Sequence, residues 1–95
     1  MTKNYVVDGN YRFTIDFRLQ SNGTYKLFAL EHPDNPYGGS VQDHHLYSSG
    51  EICITAGFEP KTLDRARAMA MLWCEGWSQY IQTGTFPSGR RKVNV

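Results

Sequence analysis

The alternation of apolar and polar residues is clearest from Tyr11 to Leu19, where every second residue is apolar. A period of two places one face of a strand in a core and the other in solvent, so we predict a β-strand here. Asn22-Gly23 follows and is a strong hairpin signal, because both residues tolerate positive φ. Residues 25–31 are predicted to form the returning strand, with apolar side chains on both of its faces.

Turn-forming residues dominate positions 32–43, which we predict to be a loop. After this loop, the pattern predicts a short extended piece at residues 45–47, a tight turn at 48–50 and a short strand at 51–55. Cys53 would then lie on the face of that strand opposite Ile52 and Ile54.

Apolar residues recur at spacings of three and four between Thr62 and Thr83, which predicts one long helix. Thr62 is the expected N-cap, Gly84 the expected C-cap, and Pro87 stops any continuation. Gly76, inside the helix, either allows a close approach of the sheet or is tolerated at a cost of about 1 kcal/mol. The predicted buried face consists of Leu63, Ala66, Ala70, Trp73, Trp77, Tyr80 and Ile81.

Strands followed by a helix indicate an α+β domain. We expect a small antiparallel sheet, made of a two-strand hairpin plus short strands, packed against one long C-terminal helix. The chain has 95 residues, which predicts a single domain over residues 1–95. Residues 1–10 are expected to form an N-terminal arm, and residues 88–95 a flexible basic tail containing Arg90, Arg91 and Lys92. A docking tail is the alternative for that segment.

Charge and composition exclude several classes of function. Ten basic and nine acidic residues give a net charge of +1, so we do not expect nucleic acid as a partner. The chain begins without an apolar leader and has no apolar run of membrane-spanning length, so we expect no membrane association. The two cysteines are expected to be free thiols in a cytoplasmic protein. Nucleotide-binding motifs such as GxGxxG are absent from the sequence.

The residue types that carry chemistry concentrate between Asp43 and Ile54. In one interpretation, His44, His45 and Cys53, with His32 upstream, bind a metal ion. Adjacent histidines on an extended chain point in different directions and the cysteines form no CxxC pair, so we do not expect a metal site.

A buried, unreactive thiol is the second interpretation for Cys53, and the one we adopt for Cys74 in the middle of the helix. The third interpretation is a nucleophilic Cys53, exposed on the outer face of its strand. His45 and Tyr47 would then be available to donate hydrogen bonds to an oxyanion formed at the sulfur.

The run from His45 to Cys53 favours the third interpretation, because it resembles the active-site segment of ubiquitin-conjugating enzymes of the prokaryotic branch. That segment is similar to H-x-Y-x-x-G-x-[LI]-C, and the matching positions are His45, Tyr47, Gly50, Ile52 and Cys53. The helix with its two tryptophans, followed by the closing Thr-Gly-Thr-Phe-Pro at residues 83–87, also resembles this branch. Phe86 stands where the family pattern has tryptophan.

The resemblance implies a minimal, truncated form of the conjugating-enzyme fold, without the N-terminal helix of the eukaryotic members. It implies that Cys53 carries a ubiquitin-like modifier as a thioester and passes it to an amine. His45 would have the oxyanion role. Tyr47, Gly50 and His44 would support the site, with His44 as a neighbouring surface residue. The alternative is a non-catalytic adaptor with the same fold.

The implied partners are a ubiquitin-like protein, an activating enzyme and a deconjugating peptidase, and antiviral defence is the implied setting. The resemblance implies no metal and no cofactor.

Overall fold

In the computed structural model, which describes residues 1–87, three antiparallel strands and one long helix form an α+β fold. The strands are β1 (Thr2–Val7), β2 (Tyr11–Leu19) and β3 (Tyr25–Glu31), and they pair in that order. A short helix, α1 (Val41–His44), precedes the long helix, α2 (Leu63–Thr83). The predicted α+β class and the long C-terminal helix are therefore confirmed.

Strand β1 corrects the expected N-terminal arm. It pairs along its whole length with β2, from Thr2 opposite Asp16 to Val7 opposite Tyr11. The turn between the two strands uses Asp8 and Gly9, both with positive φ. Asp-Gly is itself a hairpin signal, and Tyr5, at 4% exposure, anchors the strand in the core.

Strands β2 and β3 form the hairpin that the alternating pattern predicts. Phe13, Ile15 and Phe17 of β2 are buried, whereas Leu19 at the end of the strand is 63% exposed. On the outer face of the sheet, Phe28 is covered by the guanidinium group of Arg18, which lies 3.8 Å from the ring centroid.

Helix α2 has the predicted bounds and caps. The hydroxyl of Thr62 accepts a hydrogen bond from the N–H of Arg65, and Gly84 ends the helix in a left-handed conformation at φ 84°. At about 1.5 Å per residue, 21 residues extend roughly 31 Å across the sheet. Its buried face includes most of the predicted residues and adds Met69, Cys74, Gly76 and Ser78, while Leu63 and Ile81 are half-buried.

The expected loop and short strand are only partly correct. Residues 41–43, placed in the loop, belong to α1, and a strand over residues 51–55 is reduced to two isolated bridges. The predicted basic tail lies outside the described residues. Within the described part, no helix is long and apolar enough to cross a membrane.

Candidate functional site

The candidate site begins at a sharp corner of the backbone at His45. Helix α1 is capped at its start by Ser40, whose N–H donates to the Asp43 carboxylate over 2.9 Å, and at its end by His45. His45 has the left-handed values φ 62° and ψ 34°, and its N–H donates to the carbonyl of Val41 over 2.7 Å. Because this conformation is unfavourable for a residue with a Cβ, the surrounding contacts must hold it in place.

From this corner the chain forms a small hairpin, residues 45–53, which we call the cysteine hairpin. The N–H of Gly50 donates to Tyr47 O over 2.9 Å and closes the turn. The N–H of Tyr47 donates to Glu51 O over 2.9 Å, and that of Cys53 to His45 O over 2.8 Å. The backbone at the first and last residues of the hairpin is therefore joined directly, so His45 and Cys53 are neighbours in space.

The second arm of the cysteine hairpin extends the sheet beyond β3. The N–H of Ala29 donates to Gly50 O, and the N–H of Ile52 donates to Leu27 O, each over 2.8 Å. Ile52 is 1% exposed and belongs to the core. Since neighbouring residues on extended chain face opposite ways, Cys53 is directed away from Ile52 and is only half-buried.

Tyr47 lies beside the Cys53 thiol and is 44% exposed. Its pKa is raised above the ordinary value, first because its hydroxyl hydrogen-bonds the Cys53 side chain and then because the charge of a thiolate there opposes ionisation. Weak burial and the Glu51 carboxylate act in the same direction. The hydroxyl thus keeps its proton and can donate a hydrogen bond to a negatively charged sulfur or oxygen.

Cys74 has the opposite environment. It is fully buried in α2, and burial, followed by the nearby Glu75 carboxylate, raises the pKa of its thiol. A thiol that is both inaccessible and hard to ionise is a poor nucleophile. Its assignment as a packed core cysteine agrees with this position.

The sequence led us to expect His44 at the surface, but the structure buries it. Its side chain is 8% exposed, with Nε2 2.7 Å from Gly39 O, and Nδ1 accepts from the N–H of Leu46 over 3.2 Å. The ring also packs edge-on against Trp77 and Tyr80. The helical α1 turns this side chain inward, so His44 holds the start of the cysteine hairpin to α2 and does not face Cys53 from outside.

Phe86 and Gly76, which the sequence did not place in the site, lie next to His45 in the structure: Phe86 packs on His45, and Gly76 leaves room for Phe86. The ring of Phe86 packs edge-on against the His45 ring, with centroids 4.8 Å apart. The tip of the Phe86 ring lies against Gly76, where an added Cβ would overlap it. The only local signals were the helix-interior glycine and the closing motif, and neither indicates a partner by itself.

The other candidate ligands for a metal are dispersed. His32 packs on Trp77, with ring centroids 4.9 Å apart, and His44 is engaged as described above. Among residues 1–87, no group of three or more His, Cys, Asp or Glu side chains is arranged to hold a metal ion.

No protein-family model, curated protein or solved structure matches this chain.

Proposed function

We propose that this protein carries a ubiquitin-like modifier as a thioester on Cys53 and transfers it to an amine, within a truncated conjugating-enzyme fold. The observation that carries the proposal is the environment of Cys53. A half-exposed thiol lies at the end of a closed hairpin, on a residue whose backbone N–H donates to the carbonyl of His45 over 2.8 Å. The similarity of residues 45–53 to the active-site segment of the prokaryotic branch agrees with this chemistry.

In the first step, the Cys53 thiolate attacks the carbonyl carbon of a thioester on the activating enzyme. The new C–S bond forms, and the cysteine of the activating enzyme leaves as a thiolate. Tyr47 is assigned to this step as the side chain that donates a hydrogen bond to the Cys53 sulfur.

In the second step, the lone pair of an amine attacks the same carbonyl carbon and places negative charge on its oxygen. The C–S bond then breaks, the amide is complete, Cys53 leaves as a thiolate and the amine proton passes to solvent. Donors that stabilise the oxyanion accelerate this step, and His45 and Tyr47 are the side chains assigned to it.

We assign the approach of the amine to the Tyr47 side of the cysteine hairpin. A groove of about 470 Å³ runs between the β2–β3 turn and the cysteine hairpin, and Tyr47, Glu51 and Glu59 line part of it. Two carboxylates, against the single cation Lys26, give the lining a net negative charge, which agrees with a lysine as the acceptor.

The decisive experiment replaces Cys53 with lysine in the tagged full chain, expressed in its native host, followed by intact-mass measurement. A lysine at this position converts a labile thioester into a stable isopeptide, so we expect an adduct of the size of a ubiquitin-like protein, about 8–10 kDa. Cys53→Ala is the matched control and should carry none. No adduct in either variant, with the activating enzyme expressed, would point to a non-catalytic adaptor.

Thiol labelling tests the same assignment without any partner. Iodoacetamide should modify Cys53 in the folded protein while Cys74 stays protected until denaturant is added, because only Cys53 is accessible. Peptide mass mapping distinguishes the two sites. Equal protection of both thiols would contradict a nucleophilic Cys53.

A further inference from the structure

We propose that Phe86 is a positioning residue that holds the His45 corner against helix α2, and that Gly76 provides the space its ring requires. The consequence for acyl transfer rests on the proposed function of Cys53, whereas the packing itself does not. Three observations support the inference: the chain reverses after α2, the Phe86 ring packs against Gly76, and the same ring contacts His45.

The chain reverses immediately after α2. Gly84 adopts φ 84° and its N–H donates to Tyr80 O over 2.7 Å, which ends the helix. The hydroxyl of Thr83 then accepts from the N–H of Thr85 over 3.1 Å and fixes the next turn. This reversal carries Phe86 back alongside the helix, to a residue ten positions earlier in the chain.

Gly76 is the residue that Phe86 meets there. It is buried in the middle of α2, where glycine is an unfavourable choice for the helix itself. A Cβ at position 76 would lie well inside van der Waals contact of the Phe86 ring. The glycine is therefore explained by the ring that occupies its place, since any larger residue would push Phe86 outward.

The Phe86 ring also contacts the site. The Phe86 and His45 rings are 4.8 Å apart between centroids and inclined by 65°, a favourable edge-to-face arrangement. His45 is held in a left-handed conformation, and its carbonyl accepts the hydrogen bond from the N–H of Cys53. Displacement of Phe86 would therefore release the corner to which the backbone of Cys53 is attached.

A double-mutant cycle of Gly76→Ala and Phe86→Leu tests the fit. In the native background, Gly76→Ala should lower the folding equilibrium constant, because the methyl group displaces the ring. In the Phe86→Leu background the same change should raise it, up to about fivefold, because alanine is then simply the better helix former. Gln79→Ala, on the exposed side of α2, is the control and should behave alike in both backgrounds. An increase from Gly76→Ala in both backgrounds would overturn the proposal.

Nuclear magnetic resonance tests the positioning of His45 directly. In Phe86→Leu, the His45 ring protons should lose the ring-current shift of the aromatic neighbour, and the Cys53 amide should exchange severalfold faster. Unchanged His45 shifts and Cys53 exchange would overturn the positioning role.

Transfer from preformed thioester to free lysine gives the functional readout. It should slow in Gly76→Ala and in Phe86→Leu, and recover in part in the double variant, whose alanine fills space left by the leucine. If the native protein never forms a thioester, the proposed function fails, while the shifts and exchange rates still decide the role of Phe86.

Discussion

At the scale of single residues, the two cysteines show how environment decides chemistry. Cys53 lies half-buried beside a tyrosine hydroxyl, while Cys74 is sealed between helix and sheet. Both stand in apolar stretches of sequence, and only the burial of Ile52 on the opposite face turns Cys53 outward. The alternation predicted Ile52 and Ile54 opposite Cys53; Ile52 is buried as predicted, whereas Ile54 is half-buried like Cys53.

Tyr47 provides the first residue-level prediction. Removal of its hydroxyl in Tyr47→Phe should slow alkylation of Cys53 severalfold near pH 8, because the thiolate loses a hydrogen-bond donor. The measurement is the time course of iodoacetamide labelling near pH 8 in the native protein and in the variant. Tyr37→Phe is the control, since Tyr37 is 52% exposed and packs on Tyr80. Identical profiles for the native protein and Tyr47→Phe would show that the hydroxyl does not act on the sulfur.

At the scale of elements, the cysteine hairpin depends on β3 for its shape. The hairpin is short and has few internal hydrogen bonds. Two further backbone hydrogen bonds, one accepted by Gly50 O and one donated by the N–H of Ile52, join it to β3 at the edge of the sheet. Gly50 enables this arrangement with φ 94°, a value that residues with a Cβ rarely adopt. The glycine of the H-x-Y-x-x-G-x-[LI]-C pattern therefore has a backbone role here.

Gly50→Ala should lower the free energy of unfolding by about 1–2 kcal/mol, the cost of a left-handed conformation with a Cβ. It should also alter the labelling rate of Cys53, because the turn that presents the thiol is strained. Gly57→Ala is a closely matched control: Gly57 has φ 90°, with open space around a Cβ. It should cost a similar free energy in chemical denaturation yet leave Cys53 labelling unchanged. Equal effects of both variants on labelling would remove the special role of Gly50.

At the scale of the whole molecule, α2 connects parts of the chain that are distant in sequence. The indole N–H of Trp73 donates to His44 O over 3.2 Å, and that of Trp77 donates to Pro33 O over 2.9 Å. Towards the start of α2, the hydroxyl of Tyr5 in β1 donates to Arg67 O over 3.2 Å. One helix thus anchors both the first strand and the loop that leads to the site.

Tyr5 makes the stability of the whole fold sensitive to alkaline pH. Burial raises its pKa to about 12, with the Cys74 charge adding to the effect and Arg67 opposing it. In the unfolded chain a tyrosine ionises near pH 10, so its contribution is complete below about pH 10 and is lost as pH rises towards 12. Over that interval we expect a decline of at most about 1.4 kcal/mol per pH unit from this group.

Urea unfolding of the native protein and of Tyr5→Phe between pH 8 and 12 measures this contribution. The variant should lose stability less steeply above pH 10, because it has no proton to release there. Tyr11→Phe, on the neighbouring strand, is the control and should retain the steep decline. Parallel curves for the native protein and Tyr5→Phe would contradict the assignment.

The sequence by itself determined the elements whose pattern is local. The alternation in β2, the turn at Asn22-Gly23 and the caps of α2 at Thr62 and Gly84 all appear where the pattern predicts them. Each follows from interactions within a few residues, namely side-chain direction, allowed φ and the satisfaction of helix-end groups. Strand β1 was also within reach, through Asp8-Gly9, but six residues with one buried tyrosine carry a weak pattern.

Only the tertiary structure decided which side chains meet. His44 turns inward because α1 replaces the expected loop and α2 offers Trp77 and Tyr80 to pack against. Phe86 reaches His45 across 41 positions of sequence because the chain reverses after α2 and Gly76 leaves room. Such contacts depend on the packing of separate elements into one core, and no local pattern of hydrophobic and polar residues encodes that packing.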